Sequence, residues 1–311
     1  MMWEASDSMG GAGLRYFLEV VRSGSIAEAS SRLNVAASAI SRQIAKIEGE
    51  LGVELFERRA RGMVPSAAGE LLANHARRAL LEEEAVVTEL RRLRGLTTGV
   101  VRIAATEGFG LNLVPAAIHR FRETRPGIRF ELKIAAPAAV TRMVRDGETD
   151  VGATFSLAPE PGVKVAGEGR APILAVVAPD HPFAARLALS LPELASEPLA
   201  LPEKDTTARQ LFDIASGLAG VAVEPALVSN YVGALWAFAE HGGGIAIASG
   251  FTVHSLGKGK LASVPIAGPG VDQRRYVVET MLGRRLPEAV ESFIELLLEL
   301  IVEAGGERST A

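Results

Sequence analysis

The 311-residue chain contains no cysteine. That absence removes disulfide frameworks, thiol nucleophiles and thiolate metal sites in one step, and it suits a reducing compartment. Histidine is scarce. His75, His119, His181, His241 and His254 include no pair at metal-ligand spacing, and neither an HExxH helix nor a nucleophile elbow occurs. With no catalytic constellation to build on, the chain does not read as an enzyme. Aromatic residues make up only 5%, and no solenoid or propeller period recurs. Long apolar runs are missing as well: Phe293 to Val302 is too short to span a bilayer and carries Glu295 and Glu299. Residues 1–13 form a polar, variable tail without the pattern of a secretory leader, and Met1, Met2 and Met9 are each a candidate start. A cytoplasmic protein with no membrane partner is expected. Positive charge is not in excess, with 33 Lys and Arg against 37 Asp and Glu and a net charge of −4. This excludes coating of nucleic acid by bulk charge but leaves room for a local basic patch.

Turning to what is present, apolar residues recur at helical spacing from Leu14 to Leu51: Leu14, Phe17, Leu18 and Val21, then Ile26, Ala29 and Leu33, then Ile40, Ile44, Ile47 and Leu51. The spacing predicts three helices. Gly24-Ser25 ends the first and caps the second, and Glu28 completes a capping-box pattern with Ser25. The break at Asn34 to Ala36 fits only a tight turn, as in a helix-turn-helix. Glu54 to Pro65, with a basic tip containing Gly62, reads as a β-hairpin wing. Ser66 then caps a long helix from about Glu70 to Arg94, where Leu72, Ala79, Val86 and Leu93 stand seven apart with Ala76 and Leu90 between. Such a seam pairs helices in a coiled coil. A helix lying on its own domain is the plainer alternative.

After the Gly95 to Gly99 break, strands and helices alternate: Val100 to Ala105, Leu113 to Thr124, Ile128 to Ile134, Ala138 to Asp146, Asp150 to Phe155. That order implies a parallel sheet with right-handed crossovers. A second apolar set follows, with strands at Ile173 to Ala178, Leu199 to Leu201, Val221 to Val228 and Gly244 to Ala248. Helices are expected near Ala208 to Ile214 and Gly233 to Glu240. Strands at Leu261 to Ile266 and Tyr276 to Met281 and a terminal helix, Leu286 to Ala304, return to the first lobe. The expected fold class is therefore α/β: an N-terminal all-α winged helix-turn-helix, a long linker helix, and a two-lobed α/β domain.

Leu14-Arg15-Tyr16-Phe17, Gly24-Ser25, Ala27 to Leu33, Ala39 to Ile44, Leu51 to Arg58 and Ala68-Gly69 form an ordered set. In this set the chain resembles a LysR-type transcriptional regulator, over nearly its whole length after Gly13. The resemblance implies a DNA-binding domain at 14–69, a dimerising linker helix at 70–98 and an effector-binding domain of periplasmic-binding-protein type at 99–311. Its first lobe would comprise 99–160 and 267–311, and its second 161–266. The implied partners are double-stranded DNA bearing an imperfect inverted repeat, a small-molecule effector, and further copies of the chain as a homodimer extending to a homotetramer. RNA polymerase is a further candidate. No cofactor is implied. One departure is notable: where the family commonly has Ser-Gln-Pro, this chain has Ala36-Ala37-Ser38.

A recognition helix needs short groups early and a long donor one turn on. Ser38, Ser41 and Arg42 supply both on one face, Ala37 offers apolar contact to a thymine methyl, and Lys46 follows a turn later. Arg58, Arg59 and Arg61 belong to the wing. The segment 14–69 holds eight basic and six acidic residues, a local charge of +2. In the two-lobed domain, Thr106 and Glu107 follow the first strand, Phe155 and Ser156 end the third, Thr206 and Thr207 open a second-lobe helix, and Ser249 ends another strand. These seven are the candidate effector contacts. Glu107 argues for a neutral or cationic ligand unless it faces away. Gly108 and Gly110 give only part of a dinucleotide fingerprint, because Leu113 takes the third glycine position. The alternative is a solute-binding or enzymatic two-lobed protein without a DNA role, which leaves the first 95 residues without a task.

Overall fold

A computed structural model describes residues 11–59, 62–93, 98–249, 260–305 and 307–308. The chain divides into two compact units, 1–90 and 91–311.

In the first unit, three helices run α1 (Gly11–Ser23), α2 (Ile26–Leu33) and α3 (Ala37–Leu51). Their stripes converge on one core: Phe17 and Val20 from α1, Ala29 from α2, and Ile40, Ile44 and Ile47 from α3. Each buried Phe or Ile contributes about 1.5–3 kcal/mol. Ser25 caps α2 by accepting the Glu28 N–H at 3.4 Å. The other half of the expected capping box does not form, because the Glu28 carboxylate binds Arg32 one turn on. Asn34 closes α2 in the left-handed conformation (φ 55°), and its N–H donates to the Ser30 carbonyl, so the turn into α3 takes only three residues. Strands β1 (Phe56–Arg59) and β2 (Gly62–Pro65) form the antiparallel wing.

Helix α4 spans Ala67–Leu93, opened by Ser66 accepting the Gly69 N–H at 3.1 Å. It begins before residue 70, inside the segment assigned to the DNA-binding domain. Leu72, Ala73 and Ala76 are buried in the three-helix core and Ala79 packs against it, while Val86 (59% exposed), Val87 and Leu90 (56%) face outward. The expected continuous seam is thus divided. Its first half completes the domain's own core, because three short helices leave one side of that core open.

The second unit holds two six-stranded sheets. The first lobe is ordered β14-β6-β13-β5-β3-β4, where β3 is Gly99–Ala105, β4 Ile128–Ile134, β5 Val151–Ser156, β6 Val163–Arg170, β13 Arg275–Met281 and β14 Glu307–Arg308. Strands β3, β4 and β5 are parallel, whereas β13 lies antiparallel between β5 and β6. Helices α6 (Leu113–Thr124) and α11 (Glu288–Glu303) cover one face through Phe121, Phe293, Leu297 and Ile301. Helix α7 (Pro137–Arg145) covers the other through Val140 and Met143. The short α5 (Glu107–Gly110) follows β3.

The second lobe is ordered β10-β9-β11-β7-β12-β8, with β7 Ile173–Val177, β8 Leu189–Ser190, β9 Leu199–Pro202, β10 Leu227–Ser229, β11 Ile245–Ser249 and β12 Ala262–Ala267. After the short α8 (Leu191–Ala195), helix α9 (Thr207–Leu218) packs on one face and α10 (Val232–Glu240) on the other. The expected strand Val221 to Val228 shrinks to β10. Strand β6, whose alternation of apolar and polar residues breaks into Gly167-Glu168-Gly169-Arg170, carried only a short strand signal and belongs to the first lobe's sheet. The crossing between lobes therefore follows Arg170, ten residues beyond the expected boundary at 160. The return segment pairs with it: the Ala171 N–H donates to the Arg274 carbonyl at 2.9 Å.

Asp150 precedes β5. Its carboxylate lies 2.7 Å from the buried Arg284 guanidinium and accepts the Arg102 N–H at 2.7 Å. Glu279, on β13 and 1% exposed, is a different case: burial raises its carboxyl from 4.5 to about 7, Glu160 adds to the rise, and Thr141 opposes it. The folded chain holds this proton where the unfolded chain has released it. The stability that Glu279 contributes is therefore full below pH 4.5 and declines as pH rises to 7. Glu279→Gln abolishes the decline. Denaturant unfolding at pH 5 and pH 8 is expected to show the wild type losing about 2–3 kcal/mol more than the variant between the two.

Candidate nucleic-acid interface and effector site

On α3 the buried positions Ile40, Ile44 and Ile47 leave Ala37, Ser38, Ser41, Arg42 and Lys46 exposed on the opposite side. The five predicted α3 residues thus share one solvent face. Most neighbouring cations are already paired with carboxylates: Arg15 with Glu83, Arg22 and Arg32 with Glu19, Lys46 with Glu50 at 3.7 Å. Arg59 is bound to Glu57 at 2.7 Å within the wing. Among the described residues, Arg42 has no such partner, which leaves its fork of donors free. The Arg58 side chain and Arg61 lie outside the described residues. The wing's base is fixed to the helix-turn-helix, since the Met63 N–H donates to the Gly24 carbonyl at 2.8 Å.

In the two-lobed unit, Thr106 and Glu107 follow β3, Phe155 and Ser156 end β5, and Ser249 ends β11. Phe155, Thr207 and Ser249, predicted separately, meet around a residue the sequence reading missed, Arg274. The Arg274 Nε donates to Thr207 Oγ1 at 2.8 Å, its Nη1 donates to Ser249 Oγ, and its guanidinium lies 3.6 Å over the Phe155 ring. Burial pulls this guanidinium well below the usual arginine range, to about 9. Thr106 is 7% exposed and its hydroxyl has no partner among the described residues.

Glu107 reaches the opposite lobe's backbone: its Oε2 accepts the Val232 N–H at 2.6 Å, at the start of α10, while its Oε1 is buried without a partner among the described residues. A carboxylate at a helix's positive end is stabilised there. Thr206 spends its hydroxyl capping α9, accepting the Arg209 N–H and donating to the Glu203 carbonyl at 2.8 Å. Ser156 closes a local turn with Ala158. The signal that could have exposed Arg274 was faint, one arginine in a polar stretch before a strand. No group of three His, Asp or Glu among the described residues is arranged to hold a metal ion, and no described helix is long and apolar enough to cross a membrane.

A winged helix-turn-helix followed by a two-lobed α/β unit, its lobes linked through Arg274 and Glu107, is the architecture of a ligand-responsive DNA-binding regulator. Residues 12–70 match the model for the bacterial regulatory helix-turn-helix protein, lysR family, and residues 94–301 match the LysR substrate binding domain. The chain belongs to the LysR family of DNA-binding transcriptional regulators. It is 33% identical over 202 residues to the uncharacterized HTH-type transcriptional regulator YeiE of Escherichia coli K12, covering 64% of this chain and 67% of that protein. It is 26% identical over 291 residues to the RuBisCO operon transcriptional regulator of Allochromatium vinosum, covering 92% and 94%. A full-length OxyR variant from Pseudomonas aeruginosa shares the fold, with a TM-score of 0.66, 19% identity and 94% of each chain covered.

One local constraint on the DNA-binding unit is directly testable. Gly62 has φ +115°, and a Cβ there would stand 2.5 Å from the Gly24 carbonyl oxygen. Gly62→Ala therefore strains the wing by about 1–3 kcal/mol. A lower thermal midpoint and weaker DNA binding are expected, read by calorimetry and by anisotropy of labelled duplex.

Proposed function

We propose that this regulator reads its operator through the exposed face of α3, with Ser38 and Ser41 admitting the backbone to the major groove and Arg42 reaching guanine or phosphate. Ala37 meets a thymine methyl, while Lys46 and the wing arginines Arg58, Arg59 and Arg61 hold flanking phosphates. The unpaired state of Arg42 carries the assignment: where other cations of the helices are bound to carboxylates, this one is free for DNA. The proposed division of the chain is a tail at 1–13, the DNA-binding domain to 69, the linker helix to 98 and the effector domain beyond. The protein acts in the cytoplasm and catalyses nothing.

Two such units present recognition helices about 34 Å or a multiple apart, matching an imperfect inverted repeat. The outward half of α4, with Val86 and Leu90 more than half exposed, supplies the pairing surface. Dimers join into tetramers, and RNA polymerase is the further partner. A small molecule held between the lobes by Thr106, Phe155, Thr207 and Ser249, with Glu107 tying the lobes together and the locally bonded Ser156 and Thr206 shaping the adjoining turns, sets the activity.

Arg42→Ala is expected to weaken binding to the protein's own upstream region by about 1–3 kcal/mol at fixed salt without changing the sedimentation coefficient. Unaltered operator affinity would remove Arg42 from the interface. The double variant Val86→Glu, Leu90→Glu is expected to sediment as a monomer with its thermal midpoint nearly unchanged, because neither side chain contributes to the core. A dimer that persists places the pairing surface elsewhere.

A further inference from the structure

Arg274 is a buried cation whose partners are all neutral. Its side chain sits between two hydroxyls and an aromatic ring, and the residue is 5% exposed. Two other arginines with buried side chains behave differently: Arg209 binds Asp213 at 2.8 Å and Arg284 faces Asp150 at 2.7 Å. No described carboxylate pairs with Arg274, and residues 250–259, which continue from Ser249, contain no Asp or Glu. A buried charge without a counter-charge is costly unless a ligand completes it.

A second observation lies at the neighbouring strand end. The Thr106 hydroxyl is buried and unpartnered among the described residues, and Thr106 is bonded through its N–H to Ala153, two residues before Phe155 on β5. The Thr207 partner of Arg274 is also the first residue of α9, a twelve-residue helix whose positive end opens at the same place. Glu107, the nearby carboxylate, has its Oε2 engaged by the Val232 N–H at the positive end of α10, while its Oε1 is buried without a partner among the described residues.

We propose that the cleft binds its effector through an anionic group, a carboxylate or similar planar oxyanion, which Arg274 engages with its guanidinium fork while Thr207, Ser249 and Thr106 supply hydroxyl contacts. This rests on the reading of the cleft as the effector site. Phe155, stacked on Phe109 at 4.8 Å and lying beneath the guanidinium, holds the fork in plane and offers an apolar wall to the rest of the ligand. A guanidinium held in plane suits two parallel N–H···O bonds to one carboxylate.

The test uses the full chain and four probes at constant ionic strength: acetate and benzoate, and their neutral counterparts acetamide and benzamide. Thermal unfolding is expected to shift upward with the carboxylates and not with the amides. R274Q is expected to lose the shift and to bind benzoate at least tenfold more weakly by calorimetry. Equal responses to acids and amides, no response to either, or an undiminished acid response in R274Q each overturn the anion proposal. If R274Q does not fold, the acid-against-amide comparison on the wild type decides. An amide response abolished by Thr207→Val keeps the cleft as the effector site and sinks only its preference for anions. A carboxylate response that survives both R274Q and Thr207→Val places binding elsewhere and sinks both readings.

Discussion

The two-lobed unit depends on what Arg274 does at the crossing between its sheets. Its backbone carbonyl accepts the Ala171 N–H, joining the two segments that pass from lobe to lobe. Its side chain reaches Thr207 and Ser249 in the second lobe while lying over Phe155 of the first. One residue thus couples the hinge to both walls of the cleft. Glu107 adds a second link across the cleft by capping α10. Both links are polar contacts at the cleft rather than extended apolar packing, and each lobe keeps its own buried core. A ligand that competes for either link has direct leverage over how the lobes meet, which is what coupling effector binding to a second site requires.

The DNA-binding unit follows a different constraint. Helix α3 is amphipathic in a demanding sense: Ile40, Ile44 and Ile47 anchor one side in the core, and the other side must stay free of intramolecular partners to be available to DNA. The carboxylates Glu19, Glu28 and Glu50 of these helices are paired with other cations, which leaves Arg42 uncommitted. The local charge of +2 is therefore distributed by pairing rather than by number. The acidic balance of the chain resides elsewhere, and modest positive charge means that docking depends on the shape and symmetry of paired modules more than on bulk attraction.

Much of this was legible in the sequence. The spacing of Leu14 to Leu51 marked three helices within a few residues of their observed bounds, because a helix with one buried side leaves a 3.6-residue signature that no partner needs to supply. The three-residue turn at Asn34 and the wing were equally local. The effector contacts were half legible: strand-to-helix junctions can be counted along the chain, so Thr106, Thr207 and Ser249 could be named, whereas Thr206 and Ser156 at similar junctions turned out to be bonded locally. Strand β6 escaped because only its start, Val163-Lys164-Val165, alternates apolar with polar before the run breaks into Gly167-Glu168-Gly169-Arg170, and it is held by its pairing with β13.

The sequence alone determined the periodicities, and with them the helix-turn-helix, the α/β alternation of the lobes and the face of α3 turned to solvent, since all of these rest on neighbours a few residues apart. Tertiary structure decided the rest. It assigned β6 to the first lobe, divided α4 between its own core and an exposed surface, and brought Arg274 to Thr207, 67 residues away in the chain. The physical reason is range: a buried charge declares itself only when the elements enclosing it are packed, and until then an arginine in a polar stretch is indistinguishable from one in solvent.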